Sequence, residues 1–349
     1  MGLPQIIINF RTAGSSAVRR SARGQAVLLA EGEKAELYSF SEAEQAESAG
    51  LAEDCRRLLR LCFLGGPAKV LLYRYPKGEE TAALARCAPA AEGGWLCAPQ
   101  MDAQTVTAFV KSKRAEGRPL RAVVSSEAGP DCAGIVNLTT QGITVLLEGK
   151  TESVDTADYC ARIAGILAGL SLRESATYYP LPEVTGFVSS QDEEADIAAG
   201  RLILDQGSEG ARIARAVTSL TTLSQPGDSA FQKIKIAEGV DLIRADIRSV
   251  FESEYVGKVL NDYDSKLLLV TAINSYFAGL EGSVLDTGRR NTAAVDFEAQ
   301  KHWLEGRGVD TAALSDTAIL SANTGSQVFL RANLRFADAM EDLTFEISM

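Results

Sequence analysis

Gln25-Ala26-Val27-Leu28-Leu29-Ala30, the stretch from Ser41 to Phe63, and Val70-Leu71-Leu72-Tyr73 together decide the fold class. The first and third are short apolar runs bounded by breakers, which reads as buried strand. Between them Leu51, Cys55, Leu58, Leu59 and Cys62 recur at helical spacing, Ser41 stands where an N-cap would, and Gly65-Gly66-Pro67 ends the helix. Strand, helix and strand in succession predict a parallel or mixed sheet covered by helices. The pattern continues outward. Asp102 caps a helix to about Glu116; 120–125, 135–138 and 143–147 read as strands, and 156–170 as a helix. The runs 201–204 and 211–217 flank Asp205-Gln206-Gly207-Ser208-Glu209-Gly210, whose glycines signal a hairpin. Gln225-Pro226-Gly227-Asp228 predicts a turn and a domain boundary.

The last third is helical first. Val240, Ile243, Ile247, Val250 and Phe251 make one apolar stripe; Asp264-Ser265 caps a second helix through Leu280; a third runs from about Ala293 to Leu304. Strand period then returns. Val328, Leu330, Ala332, Leu334 and Phe336 share a face, and after a polar turn Leu343, Phe345 and Ile347 alternate with Thr344, Glu346 and Ser348, which reads as a C-terminal hairpin. At the other end Ile6, Ile8 and Phe10 alternate with Gln5, Ile7 and Asn9, followed by a small, basic linker, Arg11 to Arg23. The fold class is α/β, becoming α+β in the C-terminal domain, with mixed sheets, flanking helices and strand arms at both ends. The expected divisions are an arm and linker at 1–23, an outer domain at 24–100, a middle domain at 101–227 and an inner domain at 228–349.

With 349 residues, 46% hydrophobic and 23% charged, the chain can bury a sizeable core. A net charge of −11 argues against general binding to nucleic acid or anionic membranes. The N-terminus has no basic region ahead of an apolar core, and Ile6 stands where a myristoylation motif needs Ser or Thr. No apolar run approaches the ~20 residues of a membrane span. Cys55, Cys62, Cys87, Cys97, Cys132 and Cys160 lack CxxC spacing, so free, buried thiols and a reducing cytoplasm are expected.

The search for chemistry returns little. Gly149-Lys150-Thr151 has Thr144 where a phosphate-binding loop needs glycine, so a hairpin or strand end is the better reading. His302, the one histidine, sits beside Trp303 on an amphipathic helix with no nucleophile elbow. One histidine and no CxxC give no transition-metal site, and 191–196 reads as an acidic helix start. No catalytic residue, metal or cofactor is expected.

The ends are the unusual feature. An isolated apolar strand such as 5–10 exposes unpaired N–H and C=O groups, so it must pair with its own body or with another molecule. A second feature is a local basic stripe. Arg244 and Arg248 are four apart on one helix, with Lys258 and Lys266 close behind, either as a solvated face paired with Asp241, Asp246 and Glu252 or as a docking surface.

Met1-Gly2-Leu3-Pro4 with Ile6 and Ile8, then Arg19-Arg20-Ser21-Ala22-Arg23-Gly24, resembles the N-terminal arm of contractile phage tail sheath proteins. The segment 212–222 is similar to that family's middle-domain ending. Lys233 to Ile243, Tyr255 to Lys266 and Ala272 to Phe277 resemble the C-terminal domain of the short sheath proteins of defective prophages and phage-tail-like bacteriocins of Gram-positive bacteria. The resemblance is weak from about 31 to 190. It implies an inner domain built from both termini and the C-terminal third, and a helical homopolymer of stacked hexameric rings around a non-contracting inner tube, with baseplate and tail terminator proteins as further partners. No nucleic acid or membrane insertion enters. It implies strand exchange between copies through Leu3, Ile6, Ile8, Phe10, Val328, Leu330, Leu334, Phe336, Leu343, Phe345 and Ile347, with Gly14, Ser15 and Ser16 as hinge. Arg244, Arg248, Lys258 and Lys266 become candidates to face an acidic tube. A non-contractile tube or shell subunit, or a nucleotide-binding α/β enzyme, are the alternatives.

Overall fold

The structure, a computed structural model, describes residues 24–225 and 227–348. The calls on Leu3, Ile6, Ile8, Phe10, Gly14, Ser15 and Ser16 lie outside the described residues. The chain divides into two compact units: residues 24–245 with 338–348 form one, and Asp246–Ala337 the other.

The larger unit is α/β. Strands β1 (Gln25–Glu31), β2 (Glu36–Phe40), β3 (Lys69–Tyr75), β4 (Gly94–Cys97), β5 (Ala122–Val124), β6 (Ile135–Leu138) and, later in the chain, β10 (Arg201–Leu202) form a seven-stranded sheet. Its order is β10-β6-β5-β4-β1-β3-β2, and only β2, an edge strand, runs antiparallel. The central strand β1 is apolar throughout because both its faces are covered. Ala26, Leu28 and Ala30 pack with Leu58, Leu59, Ile163 and Ile166, while Val27 and Leu29 pack on the other side with Leu84, Cys87, Val106 and Val110. The helices supplying those residues are α2 (Glu53–Phe63) and α5 (Thr156–Gly169) on one face, and α3 (Glu80–Ala91) and α4 (Ala103–Ala115) on the other. Helices α2 and α5 meet backbone to backbone. A Cβ added at Gly165 would lie 2.0 Å from the Cys62 carbonyl oxygen, so only glycine fits that crossing.

Part of the larger unit departs from expectation. The predicted helix from Ser41 is two helices, α1 (Ala43–Glu47) and α2, separated where Gly50 takes φ +66°. The Ser41 backbone N–H instead donates to the Gln45 side chain. Helix α3, strand β2 and strand β4 carried no signal strong enough to predict. By contrast Asp102 caps α4 as expected, its carboxylate accepting from the Thr105 N–H at 3.0 Å. All six cysteines are free and buried. Burial pushes the Cys62 thiol up to about 12, so it stays protonated.

Two antiparallel pairings flank the sheet. In the first, β7 (Ile143–Leu147) pairs with β8 (Lys150–Val154) and β9 (Val184–Gly186). The β7–β8 turn is Glu148-Gly149, with φ of 50° and 78°, so Gly149-Lys150-Thr151 is a hairpin corner. The second is the expected glycine hairpin, β11 (Leu204–Gly207) with β12 (Gly210–Ile213), though Arg201 and Leu202 belong to the large sheet instead. Short helix α6 (Glu193–Ala198) lies between, capped by Asp192.

Helix α7 (Ile234–Val250) carries the chain to the boundary of the second unit and continues as a π-helical turn, Phe251–Tyr255. The second unit holds α8 (Tyr263–Leu280), β13 (Thr292–Val295), α9 (Phe297–Glu305), α10 (Asp316–Ser321) and β14 (Leu330–Asn333). The cap of α8 is Asp262, accepting from the Ser265 N–H at 2.8 Å, not Asp264-Ser265. The helix predicted from Ala293 begins only at Phe297, because Thr292–Val295 pairs antiparallel with Leu330–Asn333. That pairing also removes the predicted C-terminal hairpin: the partner of β14 is β13, and residues 343–348 form no strand pairing with the described residues.

Candidate assembly surfaces

The β13–β14 sheet has two strands, and a two-stranded sheet is marginal unless it packs against a helix. One face rests on α8 through Ala293 and Val295, both buried. Across from Ala293, on the same face, Ala332 is exposed; Leu330, across from Val295, is only half-buried. Among the described residues no strand other than β13 pairs with β14. Val328, Leu334 and Phe336 are likewise half-buried, and Phe336 makes an isolated bridge to Leu285.

The segment after β14 behaves differently along its length. Residues 338–342 are tied to the larger unit. Glu341 accepts from Ser175 Oγ at 2.7 Å and Thr177 Oγ1 at 2.8 Å, and lies 3.3 Å from Arg215 Nε. Arg215 also reaches Asp342 at 2.5 Å, and Lys233 pairs with Asp338. The hydrogen bond that Arg215 donates to Asp342 holds its guanidinium above the ordinary pKa. Beyond this clip Leu343, Phe345 and Ile347 are 89%, 76% and 76% exposed. Nothing in the sequence pattern marked Glu341 or Arg215, because their partners are remote in the chain.

The basic stripe separates into two kinds of residue. Arg244 and Lys258 are exposed, as is Arg248, which pairs with Glu252 at 2.8 Å. Lys266 does not belong to that surface. It is 2% exposed, and its ammonium donates to Gln300 Oε1 and Thr324 Oγ1, both at 3.3 Å. Burial lowers its pKa, with the Asp262 charge opposing. It lies beneath a cleft of about 480 Å³ bordered by Tyr255, Val259, Leu260, Leu269 and Val328. Asp241, expected to pair with the stripe, instead holds Arg114 at 2.6 Å.

The larger sheet has a doubly wound order, and in such sheets ligands sit beyond the carboxyl ends of the central strands. Here an open pocket of about 510 Å³, lined by Ser125, Ser126, Glu127, Thr139, Gln141 and Arg201, lies at the ends of β5 and β6. The chain leaves β1 directly into β2, so no helix N-terminus faces the end of β1, and the Glu31 N–H donates to Gln100 Oε1 at 2.5 Å. His302 is in the last turn of α9, beside Trp303, whose ring is 4.7 Å from Arg307. Among the described residues no cluster of three or more His, Cys, Asp or Glu could hold a metal ion, and no helix is long and apolar enough to cross a membrane.

The exposed alternating run at 343–347 and the absence of a metal cluster among the described residues fit a structural protein better than a catalyst. Comparison with known proteins gives the family. Residues 227–349 match the phage tail sheath C-terminal domain. Over its full length the chain is 30% identical to the tail sheath protein of Clostridium phage phiCD119, covering 99% of it. It is 26% identical to the tail sheath protein of Staphylococcus phage Twort over 48% of this chain and 32% of that one. Its fold matches the sheath tail protein Lin1278 from Listeria innocua, with a TM-score of 0.66 at 14% identity over 94% of this chain and 99% of that one. It also matches the helical sheath of the anti-feeding prophage in its contracted state, with a TM-score of 0.66 at 13% identity over 94% and 93%. The chain belongs to the phage tail sheath protein family.

Proposed function

We propose that this chain is the repeating subunit of a contractile sheath that polymerises around a rigid inner tube and, on release at a baseplate, passes from an extended metastable lattice to a shorter, wider one. The observation that carries this reading is the alternating apolar run Leu343, Phe345 and Ile347, left exposed on the protomer. Main-chain pairing with another copy removes that exposure and links neighbours by hydrogen bonds that survive a rigid-body motion. The 338–342 clip supports it too, since an exchanged strand transmits force only if its root is fixed. The energy is stored at assembly, so the subunit hydrolyses nothing. The absence of glycine at Thr144, where a phosphate loop needs it, argues against the nucleotide-binding alternative.

In this reading the inner domain comprises 228–349 with the arm and linker at 1–23, and the rest forms the middle and outer parts. Arg244, Arg248 and Lys258 face the tube. Assembly takes place in the host cytoplasm, with tube, baseplate and tail terminator proteins as partners. Deleting residues 1–20 should leave a folded monomer that forms no sheath. Tubular polymers of normal appearance from that truncation, seen by negative-stain microscopy, would refute the arm assignment.

A further inference from the structure

The cleft above Lys266 holds more hydrogen-bonding capacity than the protomer uses. The π-helical turn Phe251–Tyr255 sets Tyr255 in its wall, and such turns recur at functional sites. The Tyr255 hydroxyl is buried and meets no hydrogen-bond partner among the described residues. Burial raises its pKa, so it keeps its proton and remains a donor. Asn261 is the second case. Its amide nitrogen donates to the Gly325 carbonyl at 2.8 Å and the Gln327 carbonyl at 2.9 Å, which fixes the orientation of the side chain. Its Oδ1 is buried with no donor among the described residues. Lys266 is the third. Its ammonium reaches Gln300 and Thr324 at 3.3 Å and the Ala322 carbonyl at 3.5 Å, neutral oxygens all, and long for a charged donor. Buried polar groups are ordinarily paired, and a buried charge needs a partner more than most.

The walls say what kind of partner. Val256, Val259 and Leu260 on the rim are 56%, 44% and 80% exposed, an apolar surface that a protein segment would cover. None of the described residues lining the cleft is acidic. We propose that this cleft binds a segment of a partner protein that presents a carboxylate side chain and apolar side chains on one face. The carboxylate accepts from the Lys266 ammonium and the Tyr255 hydroxyl, an N–H or O–H of the segment donates to Asn261 Oδ1, and the apolar side chains cover Val256, Val259 and Leu260. A helix offers such a face at spacings of three and four residues. The chain's own exposed run does not, because alternation puts Glu346 on the face opposite Phe345 and Ile347.

The test uses the full chain and, as probe, a fluorescein-labelled, alanine-based helical peptide carrying Leu, Glu and Leu on one face. Fluorescence anisotropy should show saturable binding, about tenfold weaker when Gln replaces Glu in the peptide. Tyr255→Phe should leave the melting temperature unshifted, since the hydroxyl bonds nothing within the protomer, and weaken the Glu peptide about fivefold. Leu260→Ser, at the most exposed rim position, should also bind more weakly with its fold unchanged. Lys266→Met should bind both peptides alike; should it not fold, Tyr255→Phe carries the test.

No saturable binding of the Glu peptide overturns the proposal. Equal affinity of the wild type for the Glu and Gln peptides does so too, as does unchanged affinity in Tyr255→Phe. Displacement of the probe by an unlabelled peptide of residues 343–349, at the affinity of the probe itself, would make a second copy the occupant and overturn it as well.

Discussion

The seven-stranded sheet and the β13–β14 sheet solve the same problem in opposite ways. In the first, both faces are covered by helices, and β1 is buried at every interior position. In the second, the Asn274 side chain bonds the N–H and C=O of Ala293 on one edge, and among the described residues no strand pairs with the other. The large sheet is finished by its own chain; in the reading proposed above, the small one is completed by another copy. A sheath subunit needs both, because a body that moves as a rigid unit must be connected by elements that are not complete within it.

The comparison breaks most readily at the large sheet, where substitutions should cost the most. Gly165→Leu places side-chain carbon against the Cys62 carbonyl at the α2–α5 crossing. Overpacking costs about 1–3 kcal/mol where side chains can adjust; backbone that cannot move should put this variant above that range. Circular dichroism melting should show partial or complete loss of the folded protomer. A variant as stable as the parent would mean that the crossing is not tight.

Glu183 comes next. Its carboxylate accepts from Arg162 Nε at 2.6 Å and from the Tyr159 hydroxyl at 2.7 Å, with Arg162 and Glu183 both buried. Burial alone would raise the Glu183 pKa, but the Arg162 hydrogen bond and charge outweigh it, so the carboxyl titrates below its ordinary value. The stabilisation is therefore full above the ordinary glutamate range of about 4.3 and is lost as pH falls through the lower, folded value. Glu183→Gln leaves the Arg162 charge buried without its partner, at about 3–5 kcal/mol. It should also flatten the acid limb of the stability–pH profile, and an unchanged limb would assign acid sensitivity elsewhere.

How much of this was legible depended on chain distance. Strands β1 and β3 announced themselves as apolar runs, and Asp102 as a cap, since those signals are local. Strand β4 is four residues, too short to show a period, and Ala-rich α3 contains Pro89, which argues against the helix it occupies. The apolar alternation at 343–347 was visible, but the hairpin expected from it does not form. The pairing of β13 with β14 joins residues separated by two helices, and short strands carry no register information across such a gap. Lys266 was misplaced because a lysine four residues from a helix cap looks exposed until Gln300 and Thr324, far along the chain, come to surround it. Asn274 and Glu341 had no local signature, as both act on backbone or side chains remote in sequence.

The clip sharpens the comparison by testing what anchors the exchanged strand. Arg215 is about one third exposed, so its pairs with Glu341 and Asp342 are partly screened and contribute ~1 kcal/mol. Arg215→Ala should thus barely shift the melting temperature. If the clip bears load, sheaths of this variant should assemble yet lose copy-to-copy connection on triggering, visible as broken contracted particles. Intact contraction would make residues 338–342 a passive path.

The smallest effect on stability should come from the basic stripe. Arg244, Arg248 and Lys258 are exposed, and surface changes of this kind stay within about 0.5 kcal/mol. Arg248→Glu turns its pairing with Glu252 into a like-charge contact at i and i+4, a loss of a few tenths. Reversing all three should therefore leave the protomer folded and self-association intact, while co-assembly with the tube is lost. Reversing Lys34, Lys111 and Lys150, which are equally exposed, changes net charge by the same amount and serves as the control. If both triple variants lose the tube alike, net charge is responsible and the stripe has no special role. If neither does, the tube is held by another surface, and Lys266, already withdrawn into the fold, would not be the only member of the stripe misassigned.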